Sequence, residues 1–150
     1  MRALDIFCGA GGSSDGARSA GAEIVGGIDL DPVAMMTWRE NFPAGVGLCE
    51  RLETLSAATL RDSFGRVDLL LASPECTNHS PAKGSAARCD FSRDTALLVV
   101  DYAKVLQPRW IVLENVIQMG PWRRFEELRT ALDNLGYQTQ TYVLDAADFG

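Results

Sequence analysis

Cysteine is scarce in this sequence, and its scarcity is informative. Cys8, Cys49, Cys76 and Cys89 are the only four in 150 residues. They are too few and too widely spaced for a disulfide framework, and no C-x-x-C pair of the zinc-ribbon kind occurs. A reduced, cytoplasmic setting follows as the expectation. Long apolar runs are also missing: none approaches the roughly 18 residues of a membrane span, and Asp5 interrupts any signal-peptide core at the N-terminus. Positive charge is in deficit, with 14 Lys plus Arg against 20 Asp plus Glu and a net charge of −6. Strong binding to nucleic acid by this chain alone is therefore disfavoured, because duplex binding rests on cations replacing counterions along the phosphates. No internal repeat, low-complexity tract or linker stands out. What remains is a chain 47% hydrophobic and 23% charged, expected to fold as one soluble domain that buries roughly two thirds of its unfolded surface.

Short apolar runs alternate with segments of helical period, which predicts a βαβα order. Ala3 to Cys8 is a first strand, followed by the Gly9–Gly12 turn. Ser13, Ser14 and Asp15 offer caps for a helix ending near Gly21. Glu23 to Ile28 is a second strand ending at Asp29, Pro32 starts a helix that Pro43 stops, and Gly45 to Cys49 is a weak third strand. Leu52 to Phe64 has helical spacing, and Val67 to Ala72 is a buried strand that runs into S-P-E-C-T-N-H-S. The small, polar stretch Pro81 to Ser92 is long for a connection and has the composition of a functional loop. Asp94 to Leu106 is helical, Trp110 to Val116 a buried strand, Phe125 to Leu135 a helix and Tyr137 to Leu144 a sixth strand. Near-continuous apolar strands separated by helices indicate an α/β fold, a doubly wound and mostly parallel sheet covered on both faces.

Three strand ends carry the residues suited to chemistry. The glycines of D-I-F-C-G-A-G-G (Asp5 to Gly12) lie at a strand-to-helix turn, where backbone can approach a ligand and helix N–H groups are free. A tight turn needs glycine without any ligand, and the spacing departs from G-x-G-x-x-G. Asp29 ends the second strand, where a carboxylate can accept bonds from both hydroxyls of an adenosine ribose, so a nucleoside-bearing cofactor is the leading reading. Cys76 follows a buried strand, in a turn with Pro74 and polar neighbours that suits a partly exposed thiolate better than an apolar slot. Glu75 works against it by raising the thiol pKa unless it pairs with Lys83, Arg88 or Arg93. His79 allows a Cys–His nucleophile pair or, with Cys89, a metal site; the latter lacks the second close ligand pair that zinc sites show, and no metal is expected. Glu114 ends the fifth strand, either capping a loop or facing the same cleft as Asp29 and Cys76.

Taken together, these motifs resemble the catalytic domain of the cytosine-5 DNA methyltransferases of the bacterial modification type. D-I-F-C-G-A-G-G resembles the motif that holds S-adenosyl-L-methionine, and G-I-D-L-D-P the motif with the ribose-binding acid. S-P-E-C-T-N-H-S resembles the nucleophile motif, L-E-N-V the glutamate motif and D-A-A-D-F-G the opening of a later one. The resemblance spans essentially all 150 residues. It implies a Rossmann-like sheet of the S-adenosylmethionine-dependent methyltransferase type, with Cys76 and Glu114 catalytic. The cofactor would be held by Phe7, Cys8, Gly9, Ala10, Gly11, Gly12, Asp29, Leu30, Glu50 and Pro74. The implied substrate is duplex DNA with its target cytosine flipped out of the stack, the Pro81–Ser92 loop closing over it, and the product is S-adenosyl-L-homocysteine. The type further implies DNA methylation within a restriction-modification system.

Two departures qualify the resemblance. The family has Pro-Cys-Gln where this chain has Pro74, Glu75, Cys76 and Thr77. Beyond D-F-G the family continues into arginines, a target-recognition region and a segment that completes the cofactor pocket. This sequence therefore resembles the N-terminal catalytic part, as a fragment or one half of a split enzyme whose other half carries recognition. RNA methylation and a catalytically silent binding or regulatory domain are the alternatives, and a nicotinamide-dependent enzyme is a poorer third.

Overall fold

The computed structural model describes residues 1–75, 95–122 and 124–149. Five strands, β1 (Arg2–Ile6), β2 (Glu23–Asp29), β3 (Val46–Cys49), β4 (Leu69–Ala72) and β5 (Trp110–Leu113), form one sheet in the order β3-β2-β1-β4-β5. All four pairings are parallel. Five helices lie among the described residues: α1 (Gly12–Ser19), α2 (Pro32–Asn41), α3 (Ala57–Phe64), α4 (Leu98–Leu106) and α5 (Phe125–Asn134). The expected α/β architecture is therefore present, and strand order reverses at β1 and β4, the place where open parallel sheets leave a crevice. No helix among the described residues is long and apolar enough to cross a membrane.

Two adjacent glycines in β2 set how helices dock on this sheet. A Cβ built on Gly26 would overlap the ring of Phe64, and one on Gly27 would overlap the indole of Trp38. Successive strand residues face opposite sides, so α3 seats its terminal aromatic on one face while α2 seats Trp38 on the other. Both rings are buried. The larger core joins Leu4, Ile6, Ile28, Leu60, Phe64 and Leu70 with α4, and a second joins α4 to Met119, Trp122, Leu128 and Leu132.

Local chemistry explains several boundaries. Asp31 accepts from the backbone N–H groups of Val33 (2.8 Å) and Ala34 (3.3 Å), and Pro32 follows as the first helical residue, so α2 begins as expected. The single helix expected from Leu52 instead breaks into a 3₁₀ turn (Leu52–Thr54) and α3, because Ser56 caps the later start through the Thr59 N–H at 3.0 Å. The caps expected at Ser13, Ser14 and Asp15 lie inside the first turn of α1, whose true N-cap is Gly11, without a side-chain bond.

Two strand expectations are corrected. β5 ends at Leu113 and is the outermost strand among the described residues: Ile111 and Leu113 pack inward, whereas Trp110 and Val112 are about half exposed. No strand forms over residues 137–144. That segment alternates in the manner of a strand, but a strand needs a neighbour's N–H and C=O groups, and no described strand pairs with it. Tyr142, Val143 and Leu144 are consequently exposed.

Candidate functional site

The carboxyl ends of β1, β2 and β4 open onto a cleft of about 190 Å³ whose walls include Phe7, Asp29, Leu30, Glu50, Ser73 and Glu75. Each wall is fixed by the backbone beneath it. β1 stops at Ile6, and Phe7 takes a left-handed conformation (φ 58°), as does Gly9 (φ 51°). Such a conformation in a bulky non-glycine residue is strained and clusters at ligand sites. The turn is closed by the Gly11 N–H donating to the Cys8 carbonyl at 2.9 Å.

Asp29 is tied into that turn. Its Oδ2 accepts from the Gly9 N–H at 2.7 Å and its Oδ1 from the Asp31 N–H at 2.9 Å. A carboxylate offers about four lone-pair positions, so each oxygen keeps acceptor capacity for a hydroxyl. Glu50 is placed beside it, its own N–H donating to the Asp29 carbonyl at 3.1 Å. Among the described residues, Asp29, Glu50, Glu53 and Glu75 line the cleft against one cation, Arg51. The cleft thus has an acidic lining.

β4 and β5 deliver the other edge. The Ser73 N–H donates to the Ile6 carbonyl (3.3 Å), and the Ser73 and Ser13 hydroxyls lie 3.3 Å apart, which ties the β4 exit to β1 and α1. Asn115 Nδ2 donates to the carbonyl of buried Pro74 at 2.9 Å, while the Glu114 N–H donates to the Ala72 carbonyl at 2.9 Å. Glu114 is exposed and sits at the end of β5, next to the residue that holds the Pro74 carbonyl. Cys76, His79, Cys89 and the 81–92 loop lie outside the described residues.

The predicted residues do not all gather in one place. Phe7, Asp29, Leu30 and Glu50 share the cleft, and Pro74 lies between two of its wall residues, Ser73 and Glu75. Ala10, Gly11 and Gly12 border a second hollow with Arg18, Asn41 and Phe42. Cys8 turns into the core, its Sγ 3.6 Å from Met35 Sδ, and burial, with Asp5 and Asp29 nearby, pushes its thiol well above the usual range. The Cys8 sulfur is therefore a packed core atom rather than a reactive group. Sequence reading missed Arg51, Leu52, Glu53 and Thr95 as wall residues, and missed Asn115. The N in L-E-N-V, next to a strand-end acid, was the available signal for Asn115.

Comparison with known proteins places this geometry. Type II methyltransferase M.XorII of Xanthomonas oryzae pv. oryzae is 33% identical over 159 residues, a match covering 98% of this chain and 37% of that protein. The tRNA (cytosine(38)-C(5))-methyltransferase of Homo sapiens is 27% identical over 156 residues, covering 100% of this chain and 39% of that protein. The S. pombe Dnmt2 methyltransferase structure superposes with a TM-score of 0.72 at 25% identity, over 92% of this chain and 41% of that one. A DNA modification methyltransferase structure from an E. coli prophage shares the fold, with a TM-score of 0.77 at 21% identity over 89% of this chain and 38% of that one. The chain spans between 36% and 47% of the length of the first curated relatives it matches. A family model for C-5 cytosine-specific DNA methylase matches residues 1–150. That match runs the length of the sequence and through every element of the cleft, and on it the chain belongs to the C-5 cytosine-specific DNA methylase family.

Proposed function

We propose that this chain supplies the methyl-donor site and the nucleophile of an enzyme that methylates cytosine C5 in DNA, with S-adenosyl-L-methionine as donor. The observation that carries the reading is the acid-lined cleft with Asp29 pinned at its wall by Gly9. The described residues fit such a donor. Asp29 retains acceptor capacity for ribose hydroxyls, Leu30 offers an exposed apolar side chain beside it, and the lining favours a cationic ligand. A pyrophosphate-bearing dinucleotide would meet four carboxylates, which argues against a nicotinamide cofactor. When bound, the donor supplies an electrophilic methyl group and leaves as S-adenosyl-L-homocysteine.

Every other step falls to the chain and the base. Cytosine C5 is a poor nucleophile until a group adds at C6, and a soft thiolate suits that addition, so the Cys76 sulfur forms a bond to C6. Glu114 hydrogen-bonds the ring N3 and exocyclic amine, opposing the negative charge that develops in the ring. After C5 has been methylated, its proton leaves to a base and the C6–S bond breaks. The double bond re-forms and Cys76 is released as thiolate. Asn115 Nδ2 and the Glu114 N–H hold the carbonyls of Pro74 and Ala72, so the proposed acid follows a strand end that is tied to the exit of β4. The target base must leave the duplex to reach Cys76 and Glu114. Gripping the DNA falls to a basic surface beyond this acidic chain, in a following segment or a separate C-terminal partner; the setting is cytoplasmic.

Transfer of labelled methyl from S-adenosyl-L-methionine, measured with the full protein on duplex DNA and on transfer RNA, tests this reading. Label on DNA cytosine, lost in Cys76→Ser, supports it. Label on transfer RNA alone would move the substrate to RNA, and full activity in Cys76→Ser would refute the nucleophile.

A further inference from the structure

Asp5 is fully buried, and among the described residues its Oδ1 has no hydrogen-bond partner. A buried carboxylate with an orphaned oxygen is costly and calls for an explanation. Its Oδ2 accepts from the Ser14 hydroxyl at 2.6 Å, and the Ser14 oxygen in turn accepts from the Trp38 indole N–H at 3.0 Å. Ser14 and Trp38 are themselves fully buried. The chain of bonds therefore joins β1, α1 and α2 through three side chains with no access to solvent.

Those are the elements that carry the turn and the acid of the donor cleft. β1 runs into Phe7 and Gly9, α1 starts at Gly12, and α2 begins immediately after the Asp29–Asp31 corner. Gly11, the N-cap of α1, cannot supply a cap of its own: a Cβ there would lie 2.6 Å from Phe42 Cε2 and 3.0 Å from Trp38 Cδ1. From the neighbouring strand, Asp5 Oδ2 accepts from the Ser14 hydroxyl in the first turn of α1 and so ties that turn to β1. Trp38, held by its N–H, packs closely on Gly27 and against Gly11. The turn is thus clamped from beneath by Asp5 and from behind by Trp38.

We propose that Asp5, Ser14 and Trp38 are positioning residues for the methyl donor: their buried relay fixes the Phe7–Gly12 turn against Asp29, so that donor affinity depends on a hydrogen-bond chain that touches no ligand. The inference rests on the donor site proposed above. A purely structural network would lower stability and leave the affinity of the folded protein unchanged.

Isothermal titration of the full protein with S-adenosyl-L-methionine, at a temperature where each variant is folded by circular dichroism, separates the two. Ser14→Ala and Trp38→Phe are expected to weaken binding at least tenfold and to raise the donor KM while kcat changes less than twofold, and Ser14→Thr, which keeps the hydroxyl, restores binding. Should Ser14→Ala not fold, Trp38→Phe carries the test, since it keeps an aromatic ring on the glycines and loses only the N–H and part of the ring area. Wild-type affinity in both variants overturns the relay and leaves the donor site standing. Absence of binding by the wild-type protein overturns both.

Discussion

Replacing Asp5 by Asn changes how stability depends on pH, and the size of the change follows from the burial of the carboxylate. Burial is the main influence on Asp5 and raises its pKa from 3.8 to about 6; the Ser14 hydroxyl and backbone N–H oppose it, and the charge of Asp29 adds to the rise. In the unfolded chain the group titrates near the ordinary value. Between roughly pH 4 and pH 6 the folded protein therefore holds a proton that the unfolded chain has lost, so protons favour folding there. The contribution is fully present below about pH 4 and is lost as pH rises through about 6. A difference of about two units at about 1.36 kcal/mol each amounts to about 3 kcal/mol. Asn cannot ionise, so Asp5→Asn removes this slope and leaves those of the other carboxylates. Urea unfolding of both proteins at about pH 4 and about pH 7.5 should show the variant gaining about 3 kcal/mol relative to wild type on going to the higher pH. A difference between the two proteins that is the same at both pH values would refute the raised pKa and the burial argument behind it.

Two further perturbations test the packing and the cleft. Gly27→Ala forces a methyl group into the Trp38 indole and should destabilise by about 1–3 kcal/mol, whereas Gly16→Ala, in the interior of α1 with nothing within 4 Å of the new Cβ, should stabilise by about 0.5–1 kcal/mol; thermal unfolding of the pair gives the two signs. Asp29→Ala removes the acceptor of the Gly9 N–H, and titration with S-adenosyl-L-methionine should show a loss of affinity of about 1–3 kcal/mol.

The strand-helix order was legible because apolar runs and helical spacing are dictated by the sheet's two buried faces. Asp29 was legible for a local reason, since it stands at the end of a strand whose pattern stops there; Phe7 came only with the resemblance, and the strand expected to run through it to Cys8 stops at Ile6. Other features depended on partners distant in sequence. Ser13 and Ser14 have the right chemistry for a cap, but Trp38 and Phe42 leave no room for a side chain at Gly11, and Ser14 is drawn to Asp5 instead. The segment from Tyr137 has the alternation of a strand and no described neighbour to pair with. Ala10, Gly11 and Gly12 belong to the same motif as Phe7, yet the reversals at Phe7 and Gly9 turn them towards the second hollow. Motif membership did not reveal which side of the turn each residue would face.

On the proposed mechanism, the Cys76 sulfur attacks cytosine C6. Incubation of the full protein with S-adenosyl-L-methionine and duplex DNA carrying 5-fluorocytosine at the target position tests it most directly, because fluorine at C5 cannot leave as the proton does and the C6–S bond persists. A protein–DNA adduct stable to denaturation, with the crosslink mapped to Cys76 and absent in Cys76→Ser, is the predicted result. An adduct that survives Cys76→Ser, or no adduct from a protein that methylates unmodified DNA, would contradict the claim.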